Sequence, residues 1–354
     1  MATLPTTMRA ARLHAARTTD LPEDLRIEEI PVPEPGPGEV LVQVHACGVC
    51  ASDLHVVQGV TPNAGTPITL GHEAAGTVAA TGADVAGWLE GDRVLVPAGR
   101  MCGVCTYCQA GRANLCDFQH VYGVTCDGAQ AEYVVAPAAQ LAPIPGSLPF
   151  TQAAILADAV ATPYHALKRG GIGEGVTAAV IGLGGLGMHA VQLAKLAGAM
   201  VIGVDVDEVA LQRALDWGAD DVVDASADDA AQQVRELGEG GVDRSFEFVG
   251  VQRTAHFAVK VLRKGGRAVL TGISAERLST LPIGLFVAGE LEVVGSFGAT
   301  PEDINELLDL AEVGRLDLTR SVSHTLPLDE FPMALHMLET REGNPLRIVV
   351  DHTV

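Results

Sequence analysis

The run TAAVIGLGGLGMHAVQLAKLAGAMVIGVDVD, Thr177 to Asp207, decides the fold. After Thr177 its first residues are apolar, and the stretch is rich in small and β-branched side chains, as in a strand buried on both faces. Gly182, Gly184 and Gly187 then form G-x-G-x-x-G, with Gly185 and Leu186 inside the same loop. Beyond it, Leu186, Ala190, Leu193, Ala194 and Ala197 recur at helical spacing, and MVIGVDV returns to a strand. Glycines between an apolar strand and a helix allow a tight turn, close approach of a pyrophosphate and close helix–strand packing. The helix N-terminus adds a favourable field for phosphate. Asp205 closes the second strand, 18 residues past Gly187. A carboxylate there accepts hydrogen bonds from ribose hydroxyls and repels a 2′-phosphate, which points to NAD rather than NADP. The competing readings are a glycine turn with no ligand and a helix N-cap for Asp205, although Asp207 suits that cap better.

Outward from this run the alternation continues through VALQRALDWGA, DDVVDA, DAAQQVRELG, SFEFVG, RTAHFAVKVLRKGG and RAVLTGI. Short strands alternating with helices of ten or more residues imply a doubly wound parallel sheet covered on both faces. Val249 and Ile273, at the ends of SFEFVG and RAVLTGI, are counted with the cofactor loop. The first half is β-rich: EVLVQVHACG and DRVLVPAG are short and valine-rich, with PVPEPGPGE, Pro31 to Glu39, as a rigid exposed turn. After about Gly295 come helices and a final strand in PLRIVVDHTV, which complete the first domain. The expected class is α/β, with residues 1–158 and 296–354 forming a β-rich domain and 159–295 the nucleotide domain. No internal repeat occurs beyond the strand–helix alternation.

Composition bounds the function. The chain of 354 residues, 48% hydrophobic with Gly 40 and Pro 19, suits two folded domains. A formal charge of −21 repels nucleic acid and anionic membrane, so neither is an expected partner. No apolar run nears the roughly 18 residues of a membrane span. The first twenty residues lack the apolar core of a signal peptide, and order is expected from about Met8. Seven cysteines, four of them at metal spacing, suit thiols in a reducing cytoplasm better than a disulfide framework.

Those four lie in RMCGVCTYCQAGRANLC, Arg100 to Cys116, as C-x2-C-x2-C-x7-C. Thiolates at Cys102, Cys105, Cys108 and Cys116 close a tetrahedron around zinc and leave no open position, so this site reads as structural. An iron–sulfur cluster is the competing metal. A second group is dispersed: Cys50 in CGVCASDLH, and His72 and Glu73 in GHEAAGTVAATGADV. A catalytic zinc takes three protein ligands and keeps one position open. Cys50 and His72 supply two, and local spacing does not reveal the third.

From about Met8 onward the chain resembles the zinc-dependent alcohol dehydrogenases of the medium-chain dehydrogenase/reductase family. The GHE-x2-G signature, the four-cysteine lobe and the glycine fingerprint occur in that family's order. The resemblance implies a GroES-like catalytic domain with a structural zinc lobe, a Rossmann domain binding NAD, and two zinc ions per chain. It also implies a small alcohol or ketone substrate and a homotetramer or homodimer. Cys50 and His72 become catalytic zinc ligands, with Glu73 as an alternate ligand. The family's third ligand is usually a cysteine within a segment that here reads AAILADAVATPYHAL and holds none. Asp158 stands in that segment, as in a subset of bacterial members. A carboxylate keeps the thiolate's charge but is a harder donor, so zinc remains a Lewis acid. The competing role for Asp158 is an outer acid or helix cap, with Glu73 closing the site.

By the same resemblance a zinc-bound alkoxide gives hydride to nicotinamide, while Ser52 passes the proton through the cofactor ribose to His55. The plainer readings are a helix cap for Ser52 and a surface histidine for His55. Asp53 is expected to fix the His72 ring. Ala51 departs from the family, which often carries histidine or arginine there against the pyrophosphate. Small Ala98 leaves room for a secondary or bulky alcohol; Val57, Phe118, Tyr122 and Phe297 are candidate walls, with ordinary packing as the plainer reading of each. Cys47 and Cys126 read as small buried hydrophobes. The alternatives are a polyol or alicyclic hydroxyacyl-CoA dehydrogenase and, in another class, a non-catalytic nucleotide-binding protein. The last would tolerate loss of Cys50, His72 or Ser52, yet all three positions hold competent residues.

Overall fold

A computed structural model describes residues 4–16, 24–61, 65–279 and 281–354. In one unit, Thr162–Gly298, six strands lie parallel: β1 (Thr177–Ile181), β2 (Met200–Asp205), β3 (Asp221–Asp224), β4 (Val242–Glu247), β5 (Leu262–Leu270) and β6 (Glu292–Gly295). Their order is β3-β2-β1-β4-β5-β6. Both neighbours of β1 are parallel to it, and the order reverses at β1/β4, where such sheets open a crevice at the carboxyl ends of their strands. β1 is buried from Ala178 to Ile181, which is why its sequence shows no polar alternation. The helix Gly185–Leu196 buries Met188, His189, Ala190, Val191, Leu193 and Ala194. The helix expected over RTAHFAVKVLRKGG is shorter, Gln252–Lys260, because Leu262 already pairs with Val242 in the sheet.

The other unit comprises Met1–Ala161 and Ala299–Val354. Its main sheet runs Ala142–Pro143, Arg93–Val96, Glu73–Thr81, Glu39–Val49, Ile348–Asp351 and His324–Pro327, and Tyr133–Pro137 also pairs with Glu39–Val49. A three-stranded sheet of Leu25–Pro31, Thr7–Leu13 and Ile68–Thr69 accompanies it. The final strand is antiparallel to the long strand, with Ile348 opposite Val49, and this brings the chain's last segment to the end that carries Cys50. The strand His324–Pro327 lies where only helices were expected; it is short and held by parallel pairing to Ile348–Asp351. The expected boundaries were 158/159 and 295/296, whereas the units divide at Ala161/Thr162 and Gly298/Ala299. Both divisions leave Asp158 in the unit that holds Cys50 and His72. Among the described residues no helix is long and apolar enough to cross a membrane.

Candidate active site

Cys50 directly follows the long strand Glu39–Val49 and is the N-cap of the helix Ala51–Val57. His72 follows the two-residue strand Ile68–Thr69, after Gly71 at φ +92°. A side chain at 71 would meet the Gln130 Cγ at 2.6 Å, so only glycine delivers His72 by this path. Asp158 follows the turn Ile155–Ala157. One ligand atom from each of Cys50, His72, Glu73 and Asp158 lies within 4.8 Å of every other. Asp158 Oδ2 is 3.5 Å from Cys50 Sγ and 3.7 Å from His72 Nε2. A tetrahedral zinc with ordinary bond lengths spaces such ligand atoms by about 3.3–3.5 Å, so the donor set fits that ion with little adjustment.

Around these donors the packing is charged and sealed. Asp53 is 1% exposed; its Oδ2 accepts from the Cys50 amide at 2.9 Å and its Oδ1 from the Gly71 amide at 3.2 Å. The same Oδ1 stands 3.6 Å from His72 Nδ1, an ion-pair separation rather than a hydrogen bond. One carboxylate therefore orients the segments that carry Cys50 and His72. Glu73 is paired with Arg347, whose Nε donates to Oε2 at 3.2 Å and whose Nη2 donates to Oε1. Both residues are buried, and Arg347 Nη2 also lies 3.9 Å from Asp158 Oδ2. Burial pushes Glu73 up to about 7, opposed by Arg347. Burial pulls His72 down, but Asp53, Asp158 and Cys50 outweigh it and hold the metal-free imidazole well above its usual value.

Ser52 Oγ stands 3.5 Å from Cys50 Sγ, and since Cys50 is the cap of the helix, Ser52 is not. His55 is half-buried on the same helix, and burial lowers its pKa. Arg347 was not singled out in the sequence; the signal was one arginine amid the apolar residues Leu346, Ile348, Val349 and Val350. Val57 and Tyr122, candidate walls whose plainer reading was ordinary packing, are 2% exposed and belong to hydrophobic cores. Cys47 is fully buried and Cys126 packs against a core.

In the cysteine lobe all four thiols are free and gathered. Cys102 and Cys108 Sγ are 4.0 Å apart, near the edge of about 3.8 Å expected for four sulfurs on zinc. Cys102 Sγ accepts from the Val104 and Cys105 amides, and Cys116 Sγ from those of Cys102 and Phe118.

The glycine loop is equally specific. Gly182 has φ +87°, and a Cβ there would strike Val249 Cγ2 at 2.5 Å; one at Gly187 would overlap the Gly182 carbonyl. At Gly184, the helix N-cap, a Cβ meets nothing, and no side chain caps that helix. Open space before uncapped N–H groups suits a diphosphate. Asp205 Oδ2 accepts from the Leu183 amide at 2.7 Å, tying the end of β2 to the loop, while Asp207 caps the next helix. Val206, Val249 and Ile273 remain exposed beyond the ends of β2, β4 and β5. Thr271 and Ser296, just past β5 and β6, are buried with hydroxyls that have no partner in the protein.

Residues 36–146 match the alcohol dehydrogenase GroES-like domain and residues 185–312 the zinc-binding dehydrogenase domain. An NAD-dependent alcohol dehydrogenase of Sulfurisphaera tokodaii is 35% identical over 96% of this chain and 100% of its own. Among solved structures, a zinc-binding dehydrogenase from Sinorhizobium meliloti 1021 bound to NADP has TM-score 0.88 and 33% identity, covering 98% of this chain and 100% of that one. Acetophenone reductase from Geotrichum candidum in complex with NAD has TM-score 0.88 and 31% identity, covering 99% and 98%. The chain belongs to the zinc-binding alcohol dehydrogenase family.

Proposed function

We propose that this protein is an NAD-linked, zinc-dependent alcohol dehydrogenase and ketone reductase acting on secondary or bulky alcohols. The observation that carries the reading is the four-donor cluster of Cys50, His72, Glu73 and Asp158, with the dinucleotide-shaped loop in the same chain. Cys50, His72 and Asp158 hold the catalytic zinc, and Glu73 is the alternate ligand. When bound, zinc supplies Lewis acidity toward an alcohol or carbonyl oxygen, and NAD accepts or returns hydride.

The chain's own residues do the rest. Asp53 fixes the His72 ring and the Cys50 amide, and Arg347 offsets the charge of buried Glu73 and of partly buried Asp158. Ser52 bonds the substrate hydroxyl and His55 serves as the terminal proton acceptor, its lowered pKa keeping it neutral near pH 7. Gly184 and the N–H groups after it take the pyrophosphate, and Asp205 takes the adenosine ribose. Cys102, Cys105, Cys108 and Cys116 hold a second zinc that shapes their lobe.

The test is NADH formation across primary, secondary, polyol and acyl-CoA alcohols, with zinc counted on the same sample. Two zinc ions per chain and fastest turnover of secondary alcohols are expected. One zinc and no turnover of any alcohol overturns the reading.

A further inference from the structure

The two segments that carry Cys50 and His72 are joined by a residue that touches neither ligand. Gln130 is wholly buried. Its amide N–H donates to the Leu70 carbonyl at 2.8 Å, two residues before His72, and its neighbour Ala129 donates to Gly71 at 3.0 Å. Its side chain runs beneath Gly71, where the missing Cβ leaves room for it. From there Nε2 donates to the Gly48 carbonyl at 3.3 Å, two residues before Cys50. Gly48 is itself closed in: the Glu73 carboxylate occupies the space a Cβ would take, and its backbone pairs with Glu73 and Val349.

Gln130 Oε1 is also sealed from solvent and accepts nothing. A buried amide with one unmet acceptor is costlier than an apolar side chain of the same size. Packing alone is therefore a poor account of a glutamine here, and the bond to Gly48 is what the amide adds. Asp53 clamps the Cys50 and Gly71 amides from one side. Gln130 clamps the Gly48 and Leu70 carbonyls.

We infer that Gln130 is a positioning residue for the catalytic metal, fixing the separation of Cys50 and His72 through the Gly48 and Leu70 carbonyls. The inference rests on the catalytic-zinc reading above. Two variants separate a hydrogen bond from mere bulk. Gln130→Met keeps the volume and removes the amide; Gln130→Asn keeps an amide one methylene too short to reach Gly48.

Each purified holoenzyme is equilibrated against zinc buffers, and metal is counted per chain. A sample with cobalt at the catalytic site is followed by its visible absorption. Both variants are expected to keep the four-cysteine zinc, to bind catalytic metal about 10–100-fold more weakly, and to shift the cobalt bands. Unchanged affinity and bands in Gln130→Met overturn the inference, as does a Met variant that behaves like wild type while only Asn is impaired. Loss of both metals counts against it too, since Gln130 would then hold the fold rather than the site. A wild type carrying a single zinc fails the catalytic-zinc reading itself, whereas two zincs with a silent Met variant fails only the role of Gln130.

Discussion

Asp158 is where the side-chain chemistry departs from a thiolate site. Its carboxylate lies 3.5 Å from Cys50 Sγ and 3.7 Å from His72 Nε2, and Arg347 Nη2 stands 3.9 Å behind it. If it completes the donor set, Asp158→Ala removes one of three ligands and leaves Arg347 facing a depleted site. Zinc is expected to fall from two toward one per chain, with kcat/KM down about 100-fold or more. Asp158→Cys, a softer donor, should restore the metal. Full zinc and full activity in the alanine variant would return the third position to Glu73. Asp205 permits a cleaner test of charge. Asp205→Asn keeps an oxygen for the Leu183 amide but loses the anion. The KM for NAD is expected to rise about tenfold while the NADP/NAD ratio of kcat/KM increases, because a hydrogen bond to a charged group is worth more than one to a neutral group. An unchanged ratio would show that Asp205 serves the loop and not the ribose.

At the scale of elements, the glycine loop separates fold from function within six residues. Gly187→Ala forces a Cβ onto the Gly182 carbonyl and is expected to lower Tm sharply, by several °C or more. At Gly184, φ −77° and ψ −161° suit alanine, and the added carbon meets no protein atom. Gly184→Ala should therefore unfold within about 2 °C of wild type yet lose NAD affinity about tenfold or more, read as a smaller Tm gain on adding NAD. This loop and the cysteine lobe were legible in sequence because each is contiguous: strand, turn and helix in one case, four thiols within fifteen residues in the other. The donor cluster was legible only in part. Cys50 and His72 sit in recognisable local patterns, but Asp158 reaches them by the turn Ile155–Ala157, and no spacing rule encodes that approach. Arg347 is 274 positions from Glu73 and meets it only because the final strand pairs beside Cys50. Val57 and Tyr122 follow the plainer of their two sequence readings, ordinary packing, since both sit in cores.

Across the whole molecule, acid stability depends on groups remote from either metal site, and His352 is the sharpest of them. The residue is partly exposed, yet both ring nitrogens are sealed and lack any partner. Burial drives its pKa down to about 3, with Arg9 and His45 pushing the same way and Asp351 opposing. The unfolded chain takes up this proton near pH 6.5, whereas the folded chain resists until about pH 3. Between those values the unfolded state binds more protons, so stability rises with pH and is lost as pH falls from about 6.5 toward 3. One such group contributes a slope of at most about 1.4 kcal/mol per pH unit. Carboxylates held low by hydrogen bonds, such as Asp317 beside Thr319, act in the same direction over the acid end of the range. His352→Gln removes the titration while keeping a polar side chain. Urea midpoints measured from pH 7 to pH 4.5 should fall less steeply in this variant than in wild type, with a constant offset between the two curves above pH 7. Parallel curves would mean that His352 is protonated equally in both states, and that the shielding of its ring nitrogens opens to water in solution.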